Sequence, residues 1–394
     1  MPNPNFEATP YPFAVRLLFV SSTSVGGSGR SQRELAARLV ARGNEVVFLI
    51  DDELPAPRRR WLYEQLSDLS VRFDCWPGGG VVRWMERLPG RRTRTESVEG
   101  LRRILTPVPE NAFEEVIESF KPDVVVGNSL VRLSWKKVRR SCAEHSLPTV
   151  LYVREASSLN HFGGDIEPPD RIVANSGSLA GDVEALGLTC AMVPSVIEVG
   201  VTQVESTRRV ALVINPIESH GIDLVWQVAE RLPEVSIVLQ ESWPLDAADL
   251  DRIYRHLHYA GNVVLRRAAS PGPRLYGDAR VLLVPHRIDN RPRVIAEAQA
   301  NGIPVVASMT PGLAEAVGNG GVLVGAEDLD GWCEVIQRLW SDELEYENLV
   351  ECARDHGSRP ELDPGAVAER FEGILLEAVE ALREREADSA ARCI

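Results

Sequence analysis

The stretch "VRLLFVSSTSVGGSGRSQRELAARLVARGNEVVFLIDD" (15–52) decides the fold. It opens on an apolar run of strand length (15–22) and passes through the glycine-rich "TSVGGSGR". "SQRELAARLVARG" (31–43) follows, with apolar residues at helical spacing and a stop at Gly43. "NEVVFLIDD" (44–52) supplies the next strand. Strand, glycine turn, helix and strand make the β-α-β unit of doubly wound nucleotide-binding folds.

The alternation continues outward from that unit. Strands are expected at "VRFDCW" (71–76), "DVVVGN", "TVLYVRE" and "RIVANS", with helices around 109–119 and 178–186. It breaks over "VPSVIEVGVTQVESTRR" (193–209) and then resumes with strand "VALVINP" and helix "GIDLVWQVAERL". Strand "VSIVLQ", helix "LDAADLDRIYRHL", strand "NVVLRR" and a helix near 273–277 come next. "ARVLLVP", a helix over 292–300, "IPVVAS", a short helix near 312–316, "GGVLVG" and a helix over 328–340 complete the series. The tail "DPGAVAERFEGILLEAVEALREREADSAARCI" reads as a capped amphipathic helix, either a free lid or a strap across both halves. The expected organisation is an N-terminal Rossmann-like domain over 1–195, a linker over 196–208, a C-terminal Rossmann-like domain over 209–363, and the helix 364–394.

Bulk properties agree with that division. A chain of 394 residues is too long for one ordinary core. Its 44% hydrophobic and 25% charged residues are those of a water-soluble globular protein. No apolar run reaches the 18 or so residues of a transmembrane helix, and "MPNPNFEATPYPF" reads as a short disordered lead without signal-peptide character. Six cysteines without a CxxC pair read as idle thiols in a reducing cytoplasm. A net charge of −14 argues against general nucleic-acid binding. The basic clusters "PRRRW", "GRRTR" and "WKKVRR" read as solvated surface, with an anionic membrane or acidic acceptor as the lesser reading.

"ARVLLVPHRIDNRPRVIAEAQANGIPVVAS" (279–308) carries the chemistry. A strand ending at Pro285 delivers a loop to the carboxyl edge of the sheet, where doubly wound domains bind ligands. A helix beginning near Pro292 aims its free N–H groups the same way, as a diphosphate would require. Glu297, on that helix, is an acceptor-only group suited to a ribose diol, and Asp289 stands on the loop before it. Gly26 and Gly27 allow close backbone approach from the other half.

These stretches resemble the retaining glycosyltransferases of family 4, which have the GT-B architecture of two Rossmann-like doubly wound domains facing across a cleft. "VGGSGRSQRELAARLVARGNEVVFLI" is similar to that family's N-terminal signature. The 279–308 stretch, "TPGLAEAVGNGGVLV" and "INPIESHGIDL" are similar to its C-terminal one. The resemblance implies a nucleoside-diphosphate sugar donor (UDP-, GDP- or dTDP-linked), no metal, and a front-face retaining mechanism. It implies that Glu297 holds the ribose and Asp289 the transferred sugar. The departures are Asp289 for a glutamate, Pro292 for a glycine, and Asn215 and His220 where the family carries an arginine and a lysine. Replacement cations are sought first in Arg293 and a protonated His220, then in Arg30, with Arg287, Arg291, Arg266 and Arg267 nearby. Val294 joins the donor side.

Arg30, Arg154, Glu155 and His161 form the expected acceptor side, and His286 is a candidate to approach the donor. Asn128, Ser129, Asn175 and Ser176 end strands near the cleft. Asp51 and Asp52 lack the context of a metal site. The expected function is sugar transfer to a small-molecule acceptor in specialised or cell-envelope metabolism, by a cytoplasmic chain for which a homodimer stays open. Two alternatives are carried. One is a pseudo-glycosyltransferase or nucleotide-binding protein on the same fold. The other is a sugar-nucleotide epimerase built on His161, His220 and His286.

Overall fold

The structure, a computed structural model, describes residues 14–21, 26–51, 93–106, 109–128, 132–161, 167–267 and 272–392. The N-terminal lead, the expected strand over 71–76, "PRRRW", Ser129, Asp52, Cys75, Cys393 and part of the first glycine turn (22–25) lie outside them.

The first half runs β1 (Arg16–Ser21), α1 (Gly26–Ala41), β2 (Glu45–Asp51), β3 (Arg94–Val98), β4 (Leu101–Thr106), α2 (Pro109–Phe120), β5 (Val124–Asn128), α3 (Arg132–Glu144), β6 (Thr149–Val153), β7 (Arg171–Ala174), α4 (Gly177–Ala185) and β8 (Ala191–Met192). Its sheet has the order β3-β4-β2-β1-β5-β6-β7-β8. Neighbours are parallel except in the β3–β4 hairpin. β5 and β6 are buried at every position. Helices cover both faces of such strands, which is why they read as unbroken apolar runs. β3, at the edge, is mostly exposed and carries Arg94 and Glu96. Charges at that position discourage pairing with another chain.

The second half runs β9 (Val210–Ile214), α5 (Ile222–Arg231), β10 (Ile237–Gln240), α6 (Ala247–Leu257), β11 (Val263–Arg266), β12 (Ala279–Val284), α7 (Arg293–Ala300), β13 (Val305–Ser308), α8 (Pro311–Val317), β14 (Gly321–Val324), α9 (Leu329–Ser341), α10 (Glu343–Gly357) and α11 (Pro364–Arg392). Its sheet is wholly parallel, in the order β11-β10-β9-β12-β13-β14. Asp246 and Thr310 cap α6 and α8 by accepting from the N–H of Asp249 (2.8 Å) and Leu313 (3.4 Å).

α11 turns back onto the first half. Val367, Ala368, Phe371, Leu375 and Ala378 are buried in one core with Phe19, Phe48 and Tyr152. Phe371 lies 6.5 Å from the Phe19 ring and 5.2 Å from Tyr152. Glu372 is anchored by Arg42 Nε at 2.7 Å and by the Asn44 amide.

Several elements differ from expectation. α1 starts at Gly26, within the stretch expected to be a turn, because Gly26 enters the helix through φ +71 and the next three residues continue it. The helix expected near 273–277 is a single 3-10 turn, Pro273–Leu275. The β3–β4 hairpin, α3 and α10 were not expected. α3 carries the "WKKVRR" cluster and buries Trp135, Val138 and Cys142 beneath it.

Candidate active site

Each sheet changes direction of winding once. β1 and β5 lie side by side in one, β9 and β12 in the other, and the loops leaving such neighbours part to open a crevice. A cavity of about 610 Å³ lies there, lined from both halves. Gly27, Ser28, Arg154, Glu155 and Asn175 come from the first half, and Asn215, His220, Trp243 and His286 from the second. The run from Ile288 to Val294 completes it, so Asp289, Arg291, Pro292, Arg293 and Val294 all line it.

The loop after β9 shows what replaces a cationic pair. Asn215 is buried, with φ +52, and its side chain is used up locally. Its Oδ1 accepts from the N–H of Ser242 (2.8 Å) and Trp243 (3.4 Å), and its Nδ2 donates to Ser242 Oγ (2.8 Å). That holds Trp243 against the cavity. His220 Nδ1 donates to the Asn215 carbonyl at 2.8 Å. Its ring stacks on His286, centroids 4.0 Å apart and 15° from parallel. Burial lowers the His220 pKa, and burial followed by repulsion from His220 takes His286 down to about 3. Burial thus works against the protonated form of His220 that the sequence reading sought. Gly221, next in the chain, cannot be replaced without movement, because a Cβ there would lie 1.9 Å from the Pro285 carbonyl oxygen and φ is +73.

Behind the cavity lies a chain of alternating charges that joins the halves. Arg30 and Glu34 come from α1, Arg293 and Glu297 from α7. Arg293 Nε donates to Glu297 at 2.8 Å, its Nη1 to Ser31 Oγ at 2.9 Å, and its Nη2 to both oxygens of Glu34 at 3.0 and 2.9 Å. Arg30 donates to Glu34 (2.8 Å) and to Glu297 (3.1 Å). Tyr276 donates its hydroxyl to Glu297 at 2.7 Å. Burial alone would lower the Arg293 pKa, yet Glu297 and Glu34 outweigh it and raise it.

Two expectations change here. Glu297 is 1% exposed and its carboxylate is engaged by three donors instead of facing the cavity. Arg293 is not a free cation for a diphosphate, because two carboxylates already neutralise it.

The other candidates sort by partner. Asp289 holds the Gly312 N–H with one oxygen (2.7 Å) and the Ser178 hydroxyl with the other (2.8 Å), a second tie between halves. Arg291 donates to the Asn175 carbonyl (2.9 Å) and lies 3.4 Å from Glu315. Arg154 is 7% exposed, donates to the Ser28 carbonyl (3.3 Å) and Ser195 Oγ (2.7 Å), and lies over the Tyr152 ring. Arg266 is not brought to the cavity; it forks onto Asp278. Arg267 and Arg287 likewise pair elsewhere, with Glu241 and with Asp223. Gly26 packs near the Trp243 ring, 3.8 Å from where its Cβ would stand. His161 ends a 3-10 turn, Ala156–His161, and its side chain lies outside the described part. Ser176 caps α4 by accepting from Leu179 N–H.

Sequence reasoning missed Glu34, Trp243, Tyr276, Ser178 and Glu315. Only Glu34 left a local signal, its i,i+4 spacing from Arg30.

Comparison with known proteins bears on this geometry. Residues 212–342 match the family model for glycosyl transferases group 1. D-inositol 3-phosphate glycosyltransferase of Corynebacterium aurimucosum is 32% identical over 107 residues, 27% of this chain. That match spans 25% of the relative's own length. Among solved structures, sucrose-phosphate synthase from Thermosynechococcus elongatus superposes with a TM-score of 0.71 at 15% identity, covering 93% of this chain and 100% of that one. Anabaena HepE in complex with UDP-glucose gives a TM-score of 0.68 at 12% identity, covering 92% and 100%. The fold is GT-B.

Proposed function

We propose that this chain is a glycosyltransferase that takes a sugar from a nucleoside-diphosphate donor and passes it, with retained anomeric configuration, to a small-molecule acceptor. One observation carries the reading. The cavity lies at the carboxyl ends of both parallel sheets and is walled by both halves, the second of which matches a glycosyltransferase family. Its volume suits a ligand the size of a sugar nucleotide.

In this reading the donor is carried by the second half, with its diphosphate at the start of α7. The acceptor enters against the first half, past Glu155 and Asn175. One of the three donors to Glu297 matters for how the sugar nucleotide arrives. When the halves part, Arg30 leaves with α1 while Tyr276 and Arg293 stay, so one oxygen of the Glu297 carboxylate loses a partner and the donor ribose is read in that open state. Closure then excludes water from the sugar. Asp289, fixed at both oxygens, serves as a rigid acceptor for a sugar hydroxyl and is poorly disposed as a nucleophile. That supports attack on the same face from which the diphosphate leaves, the acceptor's proton passing to a phosphate oxygen. The acidic surface favours a small soluble acceptor, as in specialised metabolism.

Incubation with UDP-, GDP- and dTDP-sugars and candidate acceptors, following nucleoside-diphosphate release and product anomeric configuration by NMR, tests the reading. Glu297→Ala is expected to abolish turnover while the fold is kept. A folded Glu297→Ala protein with wild-type turnover would contradict the assignment. A second reading, nucleotide binding without transfer, is favoured by the paired Arg293 and by the burial that lowers the pKa values of His220 and His286. Calorimetric binding of a nucleoside diphosphate with no release from any donor would select it.

A further inference from the structure

Buried charges in proteins are paired with an opposite charge or reserved for one that arrives. The cations around the cavity divide cleanly by that rule. Arg293 lies between Glu34 and Glu297, and Arg291 lies 3.4 Å from Glu315. His220 and His286 are stacked imidazoles without a carboxylate. Arg154 is different. It is buried, it lines the cavity, and among the described residues no carboxylate comes within ion-pair distance of it. Of its five N–H groups, one donates to the Ser28 carbonyl and one to Ser195 Oγ. The rest are available on a side chain held in place at both ends of its fork.

The neighbourhood tells what kind of anion is expected. Ser28 belongs to the first turn of α1, a helix of 16 residues whose leading N–H groups have no partner within the helix. Gly27, beside it, lines the cavity without a Cβ. Arg154 is tied to this same turn through the Ser28 carbonyl, so its positive charge and the positive end of the helix act on one place. We infer that Arg154 takes up the negative charge of the departing nucleoside diphosphate, reaching from the first half to a donor held by the second. This rests on the glycosyltransferase reading above.

The balance of the step is simple. The bond between the anomeric carbon and the diphosphate oxygen breaks with its electron pair going to that oxygen. The acceptor nucleophile bonds to the same carbon, and its proton passes to the released phosphate. Charge on the diphosphate grows during the step. A cation that is already desolvated and oriented then acts where charge develops, which is the arrangement whose loss costs about 10²–10³ in turnover.

The test uses the full chain and its Arg154→Gln and Arg154→Lys variants. Each is titrated calorimetrically with UDP, GDP, dTDP and ADP, with the matching nucleosides, and with inorganic pyrophosphate. The expected result is at least a tenfold loss of affinity for the diphosphate and for pyrophosphate in Arg154→Gln, partial recovery in Arg154→Lys, and an unchanged nucleoside. Where a donor is turned over, kcat falls by about 10²–10³. Equal diphosphate affinity in wild type and in a folded variant would overturn the assignment and leave the glycosyltransferase reading standing. A wild-type chain that binds none of the panel would overturn both. Should Arg154→Gln fail to fold, Arg154→Lys decides alone: it keeps the charge, shortens the reach and loses the fork, so undiminished pyrophosphate affinity in it would count against the inference.

Discussion

Replacing Glu34 by glutamine tests the charge chain between the halves at its weakest point. The change keeps the shape of the side chain and removes one of two negative charges that balance Arg30 and Arg293. Arg293 is 8% exposed and cannot find water in compensation, while Glu34 also accepts from Arg30 and from the Glu198 N–H at 3.1 Å. Removing one partner of a buried pair costs about 3–5 kcal/mol. Arg293 keeps Glu297 at 2.8 Å, so the lower figure of about 3 applies. The loss falls on the closed arrangement and spares each core, because Glu34 and Arg293 belong to different halves. If closure masks Glu297, weakening it by that amount raises apparent affinity for the nucleoside, which Arg154 does not hold, by up to about two decades. Calorimetry gives the affinity, and small-angle scattering gives the opening as a larger radius of gyration. An open Glu34→Gln protein that binds the nucleoside no better than wild type would refute the masking of Glu297. A gain that survives in the Glu34→Gln, Glu297→Gln double variant would do the same.

Three further outcomes follow from the same structure. His286 and His220 have pKa values below the usual 6.5 in the folded chain, so the unfolded chain binds more protons as pH falls. Stability is therefore full above about pH 6.5 and declines toward pH 3, by up to about 1.4 kcal/mol per pH unit for His286, a slope that urea melts of His286→Asn should show reduced. Phe371→Ala empties a site at 0% exposure in the first-half core and is expected to cost about 3–5 kcal/mol, read from the denaturant midpoint. Gly221→Ala must shift the Pro285 carbonyl and strain a φ of +73; a loss of about 1–3 kcal/mol with weakened nucleotide binding is expected, and a neutral effect in both melts and titrations would count against that account.

The strands were legible because buried parallel strands are written as unbroken apolar runs, and the ends of those runs pointed to Asn215, His220, Asp289 and Arg154. α1 was placed five residues late, since Gly-Gly-Ser-Gly has the composition of a turn and only the fold makes it the first helical turn. α10 has its buried residues at Tyr346, Val350, Ala353 and Gly357, a helical spacing hidden by a glycine and by acidic neighbours. What the sequence could not disclose was pairing over distance. Nothing in the local pattern relates Arg293 to Glu34, or Asp289 to Ser178, so the most exposed-looking charges of the signature proved to be spent on each other. The same holds for His220, which meets the ring of His286 only because β12 lies beside β9.

The return of α11 to the first half has a consequence for synthesis. Phe19, Phe48 and Tyr152 leave the ribosome early, yet the face of Phe371 that covers them is made only after the entire second half. At 5–20 residues per second the stretch from Tyr152 to Phe371 takes roughly 11–44 s to translate. During that interval the nascent first half presents an uncovered apolar groove, a ready substrate for chaperones.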